Sequence, residues 1–128
     1  MDTLASHNIL IVEDQLNWQE VLADILKAKS YRLEVASSLA EAKTHLDNQH
    51  YSIVVLDMRL VDSHPYGLQG LEILSLAKRE HSKVIVLTGF AMPGLREKTM
   101  KMGADYFLQK EPNFDINRFR EIIASLMA

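Results

Sequence analysis

The residues best equipped for chemistry stand where apolar runs stop. Ser52-Ile53-Val54-Val55-Leu56 ends in Asp57, and Ile9-Leu10-Ile11-Val12 ends in Glu13-Asp14. Val84-Ile85-Val86-Leu87 ends in Thr88, and Tyr106-Phe107-Leu108-Gln109 ends in Lys110. If these runs are neighbouring parallel strands, three acids, a hydroxyl and an ammonium converge on one rim. Carboxylates so placed repel one another and need protons or a cation to coexist. Mg²⁺ suits them: it is a hard cation held by few carboxylates, with water and phosphate oxygens completing its octahedron. The Thr88 hydroxyl could donate to a phosphoryl oxygen, Gly89 would leave space for that group, and Lys110 beside an aspartate becomes a fixed positive charge for phosphate. Singly, each has a plainer reading. Glu13 and Asp14 could be solvated at a strand end, with Asp14 or Asn17 capping the next helix. Thr88-Gly89 could be an ordinary turn, and Lys110 a solvated side chain. The shared placement at strand ends favours phosphoryl chemistry with a divalent metal.

The elements that must hold these residues follow from hydrophobic periodicity. Met1 to His7 is a polar lead, and Asn8 to Val12 a strand. Trp18, Val21, Leu22, Ile25 and Leu26 recur at steps of three and four, which predicts one inward helix face. Tyr31 to Ala36 reads as a second strand. Ser38 with Glu41 has capping-box spacing ahead of a helix carrying Leu39, Ala42 and Leu46. Ser52 to Leu56 is the third strand. A loop rich in turn formers follows, then a helix from about Leu71 to Glu80. Val84 to Leu87 is the fourth strand, and a helix after Pro93-Gly94 runs through Met102 to a stop at Gly103. Tyr106 to Gln109 is the fifth strand. The last helix carries Ile116, Phe119, Ile122, Ile123 and Leu126 inward. Strands alternating with helices predict a doubly wound parallel α/β sheet. Right-handed crossovers then put every strand's C-terminal end on one edge, where such sheets bind ligands.

Composition narrows the function classes. The 128 residues suit one domain, residues 8–128 after the lead, and 48% of them are hydrophobic, which argues against disorder. The net charge of -3 and the lack of a basic run give no nucleic-acid surface. Without cysteine there are no disulfides or thiolate metal sites. The five histidines show no metal spacing. No apolar stretch approaches the roughly 20 residues that span a bilayer, and no signal peptide precedes the first strand. The expectation is a cytoplasmic protein.

In the order Ile11-Val12-Glu13-Asp14, Val54-Val55-Leu56-Asp57, Val86-Leu87-Thr88-Gly89 and Gly103 to Lys110, the chain resembles the receiver domain of two-component response regulators over nearly its whole length. The resemblance implies a flavodoxin-like (βα)5 fold with strand order 2-1-3-4-5. It implies that Asp57 accepts a phosphoryl group from a sensor histidine kinase or a histidine phosphotransfer protein. Glu13, Asp14, Asp57 and the backbone carbonyl of Arg59 would match the Mg²⁺ ligands. Thr88 and Lys110 would match the switch hydroxyl and the phosphate-pairing lysine, and Phe107 the aromatic switch position. On phosphorylation Thr88 is expected to move toward the new group and Phe107 to turn inward. That would reshape the face of the last two helices and fifth strand, a candidate homodimer surface. Phe107 as a permanently buried core aromatic is the competing reading.

Three features depart from that pattern. The Val61 to Gly70 loop is several residues longer than usual. Glu111 stands where the family places proline after the lysine; a cis Lys110-Glu111 bond would cost about 2.5–4 kcal/mol, so it is expected to be trans, and any cis bond belongs at Glu111-Pro112. Bulky Arg59 and Phe90 flank the path of the attacking water in the family's geometry, which implies slow autodephosphorylation. Two alternatives carry different chemistry: a receiver-like binding module that takes no phosphate, and an aspartyl-nucleophile phosphatase. The full acid, hydroxyl and lysine set disfavours the first. For the second, Arg59 replaces the aspartate that the haloacid dehalogenase pattern requires two residues after the nucleophile. A dinucleotide-binding fold lacks its Gly-x-Gly-x-x-Gly turn after the first strand.

Overall fold

A computed structural model describes residues 7–27, 31–58, 69–89 and 93–127. Within them, β1 (Asn8–Val12), α1 (Leu16–Leu26), β2 (Arg32–Ala36), α2 (Leu39–Asn48), β3 (Ile53–Leu56), α3 (Gln69–Arg79), β4 (Lys83–Thr88), α4 (Leu95–Lys101), β5 (Tyr106–Gln109) and α5 (Ile116–Met127) alternate along the chain. The strands form one sheet in the order β2-β1-β3-β4-β5, and every pairing is parallel. This is the expected flavodoxin-like order. β1 lies between β2 and β3, so the chain reverses its direction of winding there, and the crevice opens at the C-terminal ends of β1 and β3.

The three central strands are apolar because both of their faces are covered. Alternate residues split between two cores. Ile9, Ile11, Ile53, Val55, Ile85 and Leu87 pack with Leu22, Ile25 and Leu26 of α1 and with Phe119, Ile122 and Ile123 of α5. Leu10, Val12, Val54, Leu56, Val84 and Val86 face α2, α3 and α4 through Ala42, Leu46, Ile73, Leu74, Ala77 and Leu95. A slip of one residue would exchange the two sets, so packing fixes the register that aligns the strand ends.

Several helix ends follow the expected chemistry. The Ser38 hydroxyl accepts from the Glu41 N–H at 3.1 Å, and the Glu41 carboxylate accepts in return from the Ser37 N–H at 2.8 Å. Past α4, Gly103 adopts φ +104°, a backbone that favours glycine, and its N–H donates to the Met100 carbonyl at 3.0 Å. Two side chains expected inward are not: Val21 and Ile116 are each 41% exposed. Each sits at the margin of its helix's apolar stripe, and the sheet covers only the centre. The α1 cap also differs. Gln15 occupies the N-cap position without a side-chain bond to the helix's own N–H groups, so neither Asp14 nor Asn17 caps. Described peptide bonds are trans, including Lys110-Glu111 and Glu111-Pro112. No helix of the described residues is long and apolar enough to cross a membrane. Most of the Val61 to Gly70 loop lies outside the described residues.

Candidate functional site

Val12 and Leu56 are register partners, so the residues after them emerge side by side. The Asp57 N–H donates to the Val12 carbonyl at 3.0 Å, which ties the two strand ends together. One carboxylate oxygen each from Glu13, Asp14 and Asp57 lies within 4.8 Å of the others. Glu13 and Asp57 are almost dry, at 2% and 6% exposure, while Asp14 is half-buried. Asp14 belongs to this acidic group and leaves the helix start to Gln15, whose N–H donates to Glu13 Oε2 at 3.0 Å.

The fourth and fifth strands supply the rest. The Thr88 hydroxyl, fully buried, donates to Asp57 Oδ1 at 2.8 Å. Lys110 Nζ reaches Asp57 Oδ2 at 3.0 Å and Glu13 Oε1 at 2.6 Å. Its backbone N–H donates to the Thr88 carbonyl at 3.1 Å, so the lysine emerges beside the threonine although Glu111 follows it. A Cβ built on Gly89 would lie 3.9 Å from Cβ and Cδ of Lys110, so glycine leaves the space beside the lysine open.

Burial raises the pKa of Glu13 above its ordinary value; hydrogen bonds from Lys110 and the Gln15 N–H work against the rise, and the Asp57 charge adds to it. Among the described residues the Lys110 ammonium pairs with Glu13 and Asp57, and every donor in the acidic cluster is a hard oxygen. That donor set fits a divalent cation such as Mg²⁺ and does not fit a soft metal.

Phe107 is half-buried. It packs against the α2, α3 and α4 core, with the Arg96 guanidinium carbon 6.0 Å from its ring centre. It pairs with Val86, and Thr88 lies two residues further along the same face of β4. The threonine and the aromatic ring are thus diagonal neighbours on one side of the sheet. The ring also lines a cavity of about 800 Å³ between α4, β5 and α5, with Arg96, Glu97, Phe114 and Arg118 among its walls. Arg59 and Phe90 lie outside the described residues.

Sequence reasoning missed two contributors. Gln15 Oε1 accepts from Lys110 Nζ at 3.2 Å, and no motif marks it. Gly70, in the first turn of α3, stands where a Cβ would come 2.6 Å from Met58 Cα and 3.0 Å from the Asp57 carbonyl oxygen. In the sequence it was only the last residue of a turn-rich loop, just ahead of the expected helix start, with nothing to mark a close approach.

The model of the response regulator receiver domain family matches residues 9–124. The chain belongs to that family. The receiver domain is 30% identical over 106 residues to the photosynthetic apparatus regulatory protein RegA of Cereibacter sphaeroides, covering 83% of this chain and 56% of that one. It thus spans about half the length of the curated relatives it matches. Its fold resembles a CheY-like response regulator receiver domain from Methanospirillum hungatei JF-1, with TM-score 0.81, 25% identity, and coverage of 94% and 92% of the two chains. It also resembles, with TM-score 0.75 and 24% identity over 95% and 98% of the two chains, the receiver domain of a sensor histidine kinase from Pseudomonas aeruginosa PAO1, which has a magnesium ion coordinated in its active-site cleft. Receiver domains of two-component systems are phosphoacceptors in signalling, and neither alternative reading is favoured.

Proposed function

We propose that Asp57 is the phosphoacceptor and that Glu13, Asp14 and Asp57 hold Mg²⁺, with the Arg59 carbonyl as a further ligand. The carrying observation is that both oxygens of the Asp57 carboxylate are addressed, Oδ1 by the Thr88 hydroxyl and Oδ2 by Lys110, within a cluster of acids. The donor is a sensor histidine kinase or a histidine phosphotransfer protein. An Asp57 oxygen forms a bond to phosphorus as the bond from phosphorus to the histidine nitrogen breaks, and the electron pair leaves with that nitrogen. Phosphoryl transfer has a loose transition state, so a carboxylate suffices as nucleophile. Bound Mg²⁺ would neutralise charge on the transferring oxygens. Lys110 would add a second positive charge, since its ammonium already lies within hydrogen-bond reach of the accepting carboxylate. Water later hydrolyses the acyl phosphate, slowly if Arg59 and Phe90 crowd its path.

The switch runs through Thr88 and Phe107. The Thr88 hydroxyl is already on Asp57 Oδ1, so on phosphorylation it needs only to pass to a phosphoryl oxygen beyond it. Space opens behind it on the face it shares with Phe107, and the ring turns in. The cavity between α4, β5 and α5 changes its wall, which alters the surface offered to an output partner or a second copy. A bias of about 1.4 kcal/mol shifts two such states tenfold.

The test is incubation with acetyl phosphate and Mg²⁺ followed by phosphate-affinity electrophoresis. A retarded band is expected for the wild type, and none with EDTA or for Asp57→Asn. Equal retardation of Asp57→Asn would refute the assignment.

A further inference from the structure

Lys110 has three N–H donors on a flexible four-carbon stem, and holding such a chain in one rotamer opposes its entropy. Two of its partners, Glu13 and Asp57, are the acids whose charge a cation or a phosphoryl group would also claim. The other two are neutral and lie on α1 or at its start. Gln15 Oε1 accepts at 3.2 Å, and the Trp18 ring centre is 5.3 Å from Nζ, within cation–π range. Gln15 and Trp18 are three residues apart, so they share one side of the first helical turn.

Trp18 is itself fixed. Its ring meets Phe114 edge-on, with centres 5.5 Å apart at 81°, and Phe114 meets Phe119 at 5.7 Å. Phe119 is fully buried in the α1 and α5 core. The tryptophan is therefore a braced wall beside the lysine.

We propose that Trp18, assisted by Gln15, is a positioning residue that aims the Lys110 ammonium at the Asp57 carboxylate and keeps it aimed when Glu13 and Asp57 engage other charges. The assignment rests on the reading of Asp57 as phosphoacceptor. Trp18 acts through the lysine and touches no transferring atom. It replaces with an aromatic face the fixation that a Lys-Pro backbone would give, since Glu111 follows Lys110 here.

The first test needs no chemistry. In the metal-free wild type, the Lys110 ε-methylene proton resonances should be shifted upfield by the Trp18 ring, and Trp18→Leu should return them to ordinary lysine positions. Ordinary positions in the wild type overturn the proposal. The second test is a double-mutant cycle on the rate of phosphorylation by acetyl phosphate. Trp18→Leu should slow the wild type roughly threefold to tenfold, Trp18→Phe should recover most of the loss, and Gln15→Ala should slow it less. In a Lys110→Ala background Trp18→Leu should have no further effect. An equal slowing with and without Lys110 would mean a purely structural tryptophan, and no slowing in the wild type would mean no role. A wild type that takes no phosphate would fail the phosphoacceptor reading itself, while the resonance test would still decide the lysine's position.

Discussion

Without the Lys110 ammonium, Glu13 and Asp57 face each other as two nearly dry carboxylates. Breaking a buried ion pair from one side leaves charge uncompensated, which costs more than the pair itself contributes. Lys110, with its side chain 8% exposed, binds both acids. Lys110→Met keeps most of the stem and removes the charge. Its unfolding free energy in EDTA should fall by about 3 kcal/mol in urea melts, and Mg²⁺ should restore part of that loss. A variant as stable as the wild type would mean the lysine is not engaged as described. The types of these residues, and their position after apolar runs, made Glu13, Asp14, Asp57, Thr88 and Lys110 legible in sequence. Which oxygen meets which donor was not legible. Thr88 is expected to move toward a phosphoryl group, and sequence could not show that its hydroxyl already donates to the bare Asp57 carboxylate.

Strands were easier to place than helix faces. The bounds of β1 and β5 match expectation and those of β2, β3 and β4 differ by a residue or so; for β1, buried along its whole length, the apolar run has sharp ends. An amphipathic stripe has soft edges, and Val21 and Ile116 fell on the exposed side of them. Close backbone contact between elements left no mark in the sequence. Gly70 is such a case: α3 docks its first turn on the residue after Asp57, and the Gly70 N–H donates to the Met58 carbonyl at 3.2 Å. Gly70→Ala must push the helix off the backbone of Asp57 and Met58. It should cost about 1–3 kcal/mol of stability and slow phosphorylation as well. Gly103→Ala is the matched control. Its cost comes from a positive φ and a contact with the flexible Lys78 side chain, far from the acids along β5. It should lower the melting temperature and leave the phosphorylation rate near wild type. Equal rates for the two variants would remove Gly70 from the positioning of Asp57.

The two ends of the sheet differ, one carrying the acidic cluster and the other a buried tyrosine. At the second end Tyr51 is fully buried, its hydroxyl bonded by the Gln49 amide at 2.8 Å and 3.3 Å from His45 Nδ1. Burial raises the phenol's pKa above its ordinary value, the Gln49 bond opposes the rise, and the Glu34 charge adds to it. The folded state thus keeps a proton that the unfolded chain gives up above about pH 10. This stabilisation is complete below that pH and is lost as pH rises toward the folded value. Unfolding free energy should therefore fall more steeply above about pH 10 in the wild type than in Tyr51→Phe, and parallel slopes would contradict the burial effect. The doubly wound architecture itself was legible from alternation alone, because apolar strands separated by amphipathic helices admit few other arrangements. The strand order came from the resemblance, since periodicity does not say which strands are neighbours. Everything functional then depends on which side chain the phosphoryl group enters. The most direct measurement is borohydride reduction of the protein after reaction with acetyl phosphate and Mg²⁺, followed by peptide mass mapping. Homoserine at position 57 alone is the expected result; homoserine at another acid, or none in protein that has gained the mass of a phosphoryl group, would contradict it.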